Sequence, residues 1–227
     1  MSVTELSDSA QNHLKAVWGL SEWTSEPVTT KDIAEKTGLR ISTVSDAVRK
    51  LAEQGYLNHA KYGTVELTET GRIHAVAMVR RHRLIESFLV EVLGYGWEQV
   101  HDEAEVLEHA VSDFMIERID AILEHPTRDP HGDPIPAADG TVEVPDAVQL
   151  TGVEPGTVVV VERISDSDSE LLGYFRDRNI SCGVRLTVGA GEPYSGTLEV
   201  QVDGSGQQPL SLGQTASDAL FVSVATG

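Results

Sequence analysis

The stretch TTKDIAEKTGLRISTVSDAVRKLAEQGYL, residues 29–57, decides the fold of the N-terminal part of this chain. It predicts one helix from about Lys31, a break at Gly38 and a second helix that ends at Gly55, because polar starts and glycine stops bracket the apolar repeats. The next residues, YLNHAKYGTVELTETGR (56–72), hold two short alternating runs around a glycine-containing turn, which is typical of a β-hairpin. Two such helices followed by a hairpin predict a winged helix-turn-helix.

The second helix of this motif predicts the surface that contacts DNA. Val44, Val48 and Leu51 recur at helical spacing and face inward, which leaves the opposite side of the helix exposed. Small hydroxyl side chains at the front of such a helix allow close entry into the major groove, and basic side chains contact phosphates. The predicted DNA-contacting residues are Lys31, Arg40, Ser42, Thr43, Ser45, Asp46, Arg49, Lys50 and the wing residue Lys61.

The same motif leaves two questions open. A helical hairpin that only packs would show similar apolar spacing, but the glycine turn and the spaced aliphatic residues favour DNA binding. Asp46 stands where a base-reading Gln or Asn is expected, and its carboxylate would either accept a hydrogen bond from cytosine or repel wrong sites. The motif therefore predicts double-stranded DNA as the ligand without predicting the sequence that is read.

The composition restricts the remaining possibilities. The 227 residues include 17 Lys or Arg and 36 Asp or Glu, so the formal net charge is −19, which argues against a general nucleic-acid coat. Residues 1–73 carry 8 basic and 10 acidic side chains, against 5 and 14 in 74–140 and 4 and 12 in 141–227. The single cysteine, Cys182, excludes an internal disulfide. With no membrane-length apolar run and no signal-peptide pattern at the start, we expect a cytoplasmic protein.

After the hairpin the sequence pattern changes twice, from helical to proline-rich and then to short apolar runs. Two long helical patterns, 72–93 and 98–124, are followed by the proline-rich stretch HPTRDPHGDPIPAADG (125–140), which predicts a linker or an ordered loop. Beyond residue 141, short apolar runs separated by glycine turns predict a small β-barrel or sandwich.

The helical middle concentrates histidines and glutamates at helical spacing. His82 and Glu86 are four residues apart, and HDEAEVLEH (101–109) brings several carboxylates onto neighbouring turns. Carboxylates at such short separations repel one another unless a proton or a cation lies between them. Carboxylates with imidazoles and no thiolate suit Mn(II) or Fe(II). An isolated His–Glu pair is more often a surface ion pair, but the combined set favours a metal site: His82, Glu86, His101, Glu105, Glu108 and His109.

At this point the chain resembles a known family. A winged helix-turn-helix, then RRHRLIESFL (80–89), VHDEAEVLEHAVSD (100–113), the proline-rich loop and a β-rich tail are similar to the metal-dependent repressors of the diphtheria-toxin-repressor and iron-dependent-regulator family. The resemblance implies an α+β chain with a DNA-binding domain over 1–73, an all-α dimerisation and metal-binding domain over 74–140, and an SH3-like, FeoA-like β-barrel over 141–227. It also implies a homodimer that binds operator DNA and is not an enzyme.

The resemblance further implies which metal and which ligands are used. Iron-responsive members place Cys where this chain has Glu105, whereas manganese-responsive members place an acid there, so the implied corepressor is Mn(II). Fe(II) is the alternative, and Zn(II) or other divalent ions are expected to bind. Asn12 replaces the acid that is common at its position. The implied ligands are Asn12, Glu105, Glu108 and His109 in a regulatory site, His82, Glu86 and His101 in a second site, Asp129 and His131 in the proline-rich loop, and Asp166 as an extra ligand.

We interpret the whole sequence as a metal-gated repressor in which Mn(II) fixes the DNA-binding conformation of a homodimer and so regulates manganese homeostasis genes. An iron-responsive regulator of the same family is the nearest alternative. A metal-dependent hydrolase is less favoured, because the His101, Glu105, His109 spacing is longer than HExxH and no catalytic base stands out. A winged-helix sensor of an organic ligand would gain no stability from Mn(II), whereas specific metal binding raises stability by mass action.

Overall fold

The computed structural model describes residues 6–24, 26–59, 63–204, 206 and 208–225, with the backbone alone described at residue 59. These residues form two compact units. The first unit takes the chain up to Ile85, Glu105–Ala121 and Pro136–Val142, and the second takes Glu86–Ala104, Ile122–Ile135 and the chain from Glu143 onward.

The first three helices and a hairpin form the winged helix-turn-helix that the sequence predicts. The elements are α1 (Asp8–Glu22), α2 (Thr30–Thr37), α3 (Ile41–Glu53), β1 (Leu57–His59) and β2 (Val65–Leu67), and the two strands are antiparallel. Gly38 has a left-handed φ of 67° and ends α2, which is why a glycine is needed there. The predicted wing residue Lys61 lies outside the described residues.

One apolar core holds these elements together. Leu14 and Val17 of α1 pack with Ile33 of α2 and with Val44 and Val48 of α3, and all five side chains are almost fully buried. The inward-facing positions are those that helical spacing predicts. Because α1 is part of this core, a displacement of α1 must be accommodated by the recognition helix α3.

Three further helices follow: α4 (Glu69–Glu91), α5 (Val100–Ala110) and α6 (Asp113–Ile122). The single helical pattern predicted over 98–124 is therefore wrong, since α5 ends before α6 begins. The guanidinium of the buried Arg81 on α4 stabilises this break. It donates to the carbonyl oxygens of Glu108 and Val111 at the end of α5, and to the Asp113 carboxylate at 2.5 Å at the start of α6. A buried cation thus satisfies carbonyl groups that a helix end leaves without a partner.

The C-terminal part contains six strands: β3 (Val148–Gln149), β4 (Val158–Ile164), β5 (Arg185–Ala190), β6 (Leu198–Val202), β7 (Leu210–Leu212) and β8 (Leu220–Val224). They form one antiparallel sheet with strand order β3-β8-β4-β5-β6-β7. This confirms the predicted small β domain.

Two short helices that the sequence analysis did not predict complete this domain, α7 (Ser169–Arg176) and α8 (Gln214–Asp218). The Asp168 carboxylate caps α7 by accepting from two backbone amides at its start. The helix buries Leu172 and Phe175 in the sheet core. None of the helices within the described ranges is long and apolar enough to cross a membrane.

We expect Asp32→Asn to destabilise the DNA-binding unit in a pH-dependent way. The Asp32 carboxylate accepts from the hydroxyl of Thr29 at 2.7 Å and from its amide at 2.8 Å, and these hydrogen bonds lower the pKa of Asp32 below its ordinary 3.8. This stabilisation is present above the unfolded-state pKa and is lost as the pH falls through the lower folded-state pKa.

Urea unfolding at pH 7 should show a loss of about 0.5–1 kcal/mol for Asp32→Asn. The difference from the wild type should shrink as the pH falls below 4. Glu35→Gln, an exposed carboxylate on the same helix, is the matched control and should change little. An equal loss of unfolding free energy at pH 7 and below pH 4 would contradict the proposed role of the charged Asp32 cap.

Candidate metal centres

The first cluster lies in the first compact unit, where α4 and α5 bring His82, Glu105 and Glu108 together. One ligand atom from each side chain lies within 4.8 Å of the other two. Glu108 is fully buried, and its Oε2 lies 2.6 Å from Nδ1 of His82. Taking a carboxylate out of water is costly unless a charge or hydrogen bonds compensate it. This cluster therefore requires a cation.

A cation from the chain itself lies within this cluster. The ammonium of Lys15 on α1 donates to Glu105 Oε1 at 2.6 Å and to both carboxylate oxygens of Glu108, at 2.6 and 2.8 Å. It also lies 3.4 Å from Nδ1 of His82. Only 15% of the Lys15 side chain is exposed. Lys15 was missing from the sequence prediction of this site.

Gln11 and Asn12 lie about one turn before Lys15 on α1. Nδ1 of His109 lies 2.7 Å from the side-chain oxygen of Gln11, and its Nε2 lies 3.5 Å from Oε1 of Glu108. The Asn12 side-chain oxygen is buried and has no hydrogen-bond partner among the described residues. A buried carbonyl oxygen without a donor suits a cation, since burial without a partner costs free energy.

The second compact unit holds another cluster, formed by Glu86, His101 and Asp166. Nδ1 of His101 lies 3.1 Å from the Asp166 carboxylate and 3.4 Å from that of Glu86. Burial alone would lower the pKa of His101, but hydrogen bonds to Asp166 and Glu86 and the charges of both outweigh it and raise the pKa to about 10. A metal binds the neutral imidazole, so metal binding here at neutral pH must release the His101 proton.

A third cluster in the same unit consists of Glu86, Asp129 and His131, all three of them buried. The Nε2 of His131 lies 2.8 Å from the backbone carbonyl of Trp97. A carbonyl only accepts, so in the neutral ring Nε2 carries the hydrogen and Nδ1 offers its lone pair. That Nδ1 has no hydrogen-bond partner among the described residues and faces Glu86 at 3.9 Å. Such an orienting bond is typical of histidines that bind metals.

The proline-rich segment is an ordered loop that positions this third cluster. Oδ1 of Asp129 accepts from the amides of His131 and Asp133 at 2.8 and 3.0 Å. Gly132 between them has a φ of +90°, and a Cβ atom at this position would lie 2.1 Å from the Glu162 carbonyl oxygen. The nearby Cys182 thiol offers no competing thiolate, because burial and the charge of Asp129 raise its pKa to about 12.

The recognition helix α3 exposes the predicted DNA-contacting side chains. Ser42, Thr43, Ser45, Asp46, Arg49 and Lys50 are all exposed on it, and Arg40 and Lys31 are exposed nearby. The guanidinium of Arg49 donates to the Asp46 carboxylate at 2.8 Å, and about 70% of each side chain is exposed. Asp46 and Arg49 therefore form a solvent-exposed ion pair on the side of α3 that carries the predicted DNA-contacting residues.

Three family models together match most of the chain. They are the iron dependent repressor N-terminal DNA binding domain over residues 5–65, the iron dependent repressor metal binding and dimerisation domain over 68–137, and the FeoA domain over 148–224. The chain belongs to the iron-dependent repressor family. The resemblance seen in the sequence is thereby confirmed.

Individual relatives and solved structures match this chain over most of its length. The iron-dependent repressor IdeR of Mycobacterium tuberculosis is 35% identical over 201 residues, which cover 82% of this chain and 86% of IdeR. A solved manganese-dependent transcriptional repressor in complex with manganese is 50% identical, with a TM-score of 0.91, covering 95% of this chain and 100% of that one. ScaR with bound Zn2+ is 31% identical, with a TM-score of 0.81, covering 95% and 99%.

Gly132→Ala should destabilise the loop that carries Asp129 and His131. The added Cβ would meet the Glu162 carbonyl oxygen at 2.1 Å and the Cys182 Sγ at 2.8 Å, in a backbone conformation that L side chains rarely adopt. We expect a loss of about 2–4 kcal/mol in the free energy of unfolding, measured by chemical denaturation of the metal-free protein.

Gly173→Ala on α7 is the matched control, since its Cβ would meet nothing within 4 Å. It should be neutral or stabilising by up to about 1 kcal/mol. If both alanine variants unfold at the same denaturant concentration as the wild type, the close approach of the Glu162 carbonyl oxygen to Gly132 does not determine the conformation of the loop.

Proposed function

We propose that this chain is a metal-dependent transcriptional repressor that binds operator DNA as a homodimer, with Mn(II) as its corepressor in manganese homeostasis. It is a regulator and not an enzyme. The observation that carries the proposal is the close approach of His82, Glu105 and Glu108 in the metal binding and dimerisation domain. One ligand atom from each lies within 4.8 Å of the other two, and Glu108 is fully buried. The 50% identical solved relative, a manganese-dependent repressor in complex with manganese, supports the choice of metal.

The proposed ligands fall into the clusters described above. Asn12, Glu105, Glu108 and His109 would hold the regulatory ion, and His82 stands beside Glu108 at its edge. Glu86, His101 and Asp166, and Glu86 with Asp129 and His131, would hold further ions. These donors are oxygens and imidazole nitrogens without thiolate, which favours Mn(II) and also admits Fe(II) and Zn(II).

Metal selectivity must depend on more than binding strength. For a fixed set of nitrogen and oxygen donors, Mn(II) binds more weakly than Fe(II) or Zn(II). Discrimination therefore has to come from coordination number and geometry. IdeR, the 35% identical relative, is named iron-dependent, so an iron-responsive regulator is the alternative. Glu105 favours manganese, since a carboxylate is a harder ligand than a thiolate.

The proposed mechanism uses the position of α1. This helix carries Asn12 and packs in the core of the DNA-binding motif, while Glu105 and Glu108 lie on α5. A bound divalent ion supplies positive charge and coordination bonds to both helices. Asn12 on α1 and Glu105 and Glu108 on α5 would then be connected through the ion. This connection would hold α1 in one position, and with it the recognition helix α3. In a dimer this sets the separation of two recognition helices, which must reach major grooves about 34–36 Å apart.

Thermodynamics limits what the ion can achieve. It shifts the protein toward the DNA-binding conformation only by the difference between its affinities for the two conformations. By the same linkage, operator DNA must tighten metal binding to the same extent. Compensating the carboxylates also weakens the repulsion between this acidic chain and the phosphates of DNA.

An exposed apolar surface supports the homodimer. Val106 on α5 and Phe114 and Met115 on α6 are 70%, 71% and 44% exposed. These side chains are close in the sequence, on two consecutive helices, and exposed apolar side chains that form a patch are typical of a protein interface. We propose that a second copy of the chain covers this surface, in agreement with the dimerisation domain that the family model assigns to residues 68–137.

We expect Mn(II) to strengthen operator binding by the wild type and not by Glu108→Ala. Linkage energies of about 1–3 kcal/mol correspond to about 5–150-fold in affinity, which a gel-shift or anisotropy titration at fixed salt can resolve. Glu103→Ala, an exposed carboxylate on the same helix, is the matched control and should respond to Mn(II) like the wild type. Equal operator affinity for the wild type and Glu108→Ala, with and without Mn(II), would contradict the proposed function.

A further inference from the structure

The position of Lys15 allows an inference that rests on the proposed function and extends it. We propose that Lys15 is an internal competitor of the activating metal, whose ammonium compensates Glu105 and Glu108 in the metal-free protein and has to withdraw when a divalent ion binds. Lys15 thereby sets the metal concentration at which the repressor switches. This makes it a specificity-determining residue that is not itself a ligand.

The geometry of the site leaves room for one cation between the carboxylates. The Lys15 nitrogen is within 2.6–2.8 Å of three carboxylate oxygens and 3.4 Å from the His82 imidazole. Metal ions bind oxygen and nitrogen donors at about 2.0–2.6 Å. An ion held by Glu105 and Glu108 would therefore lie where the ammonium lies now, and the two positive centres cannot occupy the same space.

The charges at the site favour a divalent ion over the ammonium. Glu105 and Glu108 carry two negative charges, and Lys15 neutralises one of them. A divalent ion neutralises both, so it can replace the ammonium with a gain in charge compensation, whereas a monovalent ion offers no more charge than Lys15 already does. If Lys15 remained beside the divalent ion, two cations would repel each other inside a poorly solvated site. The exchange therefore favours divalent over monovalent ions and raises the concentration of divalent ion required.

Exchange of the ammonium for a divalent ion would also act on the DNA-binding motif. Lys15 and Asn12 are three residues apart on α1, so they lie on the same side of the helix. Withdrawal of Lys15 breaks its ion pairs between α1 and α5, and a divalent ion that also bound the buried oxygen of Asn12 would connect the two helices in their place. Exchanging one α1–α5 connection for another changes how α1 is held, and α1 shares its core with α3.

Calorimetric titration of the metal-free protein with Mn(II) tests the competition. Lys15→Met keeps much of the side-chain volume and removes the charge, so Mn(II) should bind at least tenfold more tightly than it binds the wild type. The same variant should lower the melting temperature of the metal-free protein, because the buried Glu108 carboxylate loses its counter-ion. Lys36→Met, an exposed lysine on α2, is the matched control and should change neither quantity. Unchanged or weaker Mn(II) binding by a folded Lys15→Met would overturn the inference.

A second measurement uses the wild type and does not depend on the folding of a variant. Amine acylation followed by mass spectrometry should find Lys15 protected in the metal-free protein and several-fold more reactive when Mn(II) is bound. Lys36 serves as the internal reference and should react equally in both states. Unchanged or reduced acylation of Lys15 in the presence of bound Mn(II) would also overturn the inference.

These outcomes separate the inference from the function on which it rests. If the wild type binds Mn(II) and Glu108→Ala does not, but neither Lys15 measurement changes, the proposed metal site stands and the competitor role of Lys15 fails. If the wild type binds no divalent ion at all, the proposed function fails and the inference fails with it.

Discussion

The need to compensate two carboxylates on neighbouring turns of one helix determines the arrangement of α1 and the C-terminal half of α5 in the first compact unit. Glu108 is fully buried and Glu105 is close enough to share a single cation with it. Removing negative charge from water without a partner would cost more than a typical domain can tolerate. The fold meets this need with Lys15, a residue from a different helix, so the electrostatics of α5 and the position of α1 are physically coupled.

This coupling explains why a metal site belongs in a DNA-binding protein. Helix α1 meets the acidic helix through Lys15 and contributes Leu14 and Val17 to the core that holds the recognition helix. A change of cation at Glu108 would therefore act on the same packed unit that carries Arg49 and the other residues proposed to contact DNA. The clusters around Glu86 have a different setting, since His101 and His131 are oriented there by Asp166 and by a backbone carbonyl.

Residue spacing predicted those parts of the molecule that depend on local sequence. Local sequence was enough to predict three features: the helix end at Gly38, the buried positions of α3 and the clustering of carboxylates on α5. Lys15 was missed because its partners lie 90 and 93 residues further along the chain, and only tertiary packing brings them together. The break between α5 and α6 was missed for the same reason, since it depends on Arg81 from α4. Helix α7 was not predicted, because its capping residue, Asp168, follows a polar stretch that is typical of a loop.

Anomalous X-ray diffraction from crystals grown with Mn(II), measured at the manganese absorption edge, tests the central claim most directly. The account predicts an anomalous peak within bonding distance of the Glu105 and Glu108 carboxylates, with the Lys15 ammonium moved out of the space between them. Crystals that contain Mn(II), yet show the ammonium still between the two carboxylates and no anomalous peak beside it, would contradict the account.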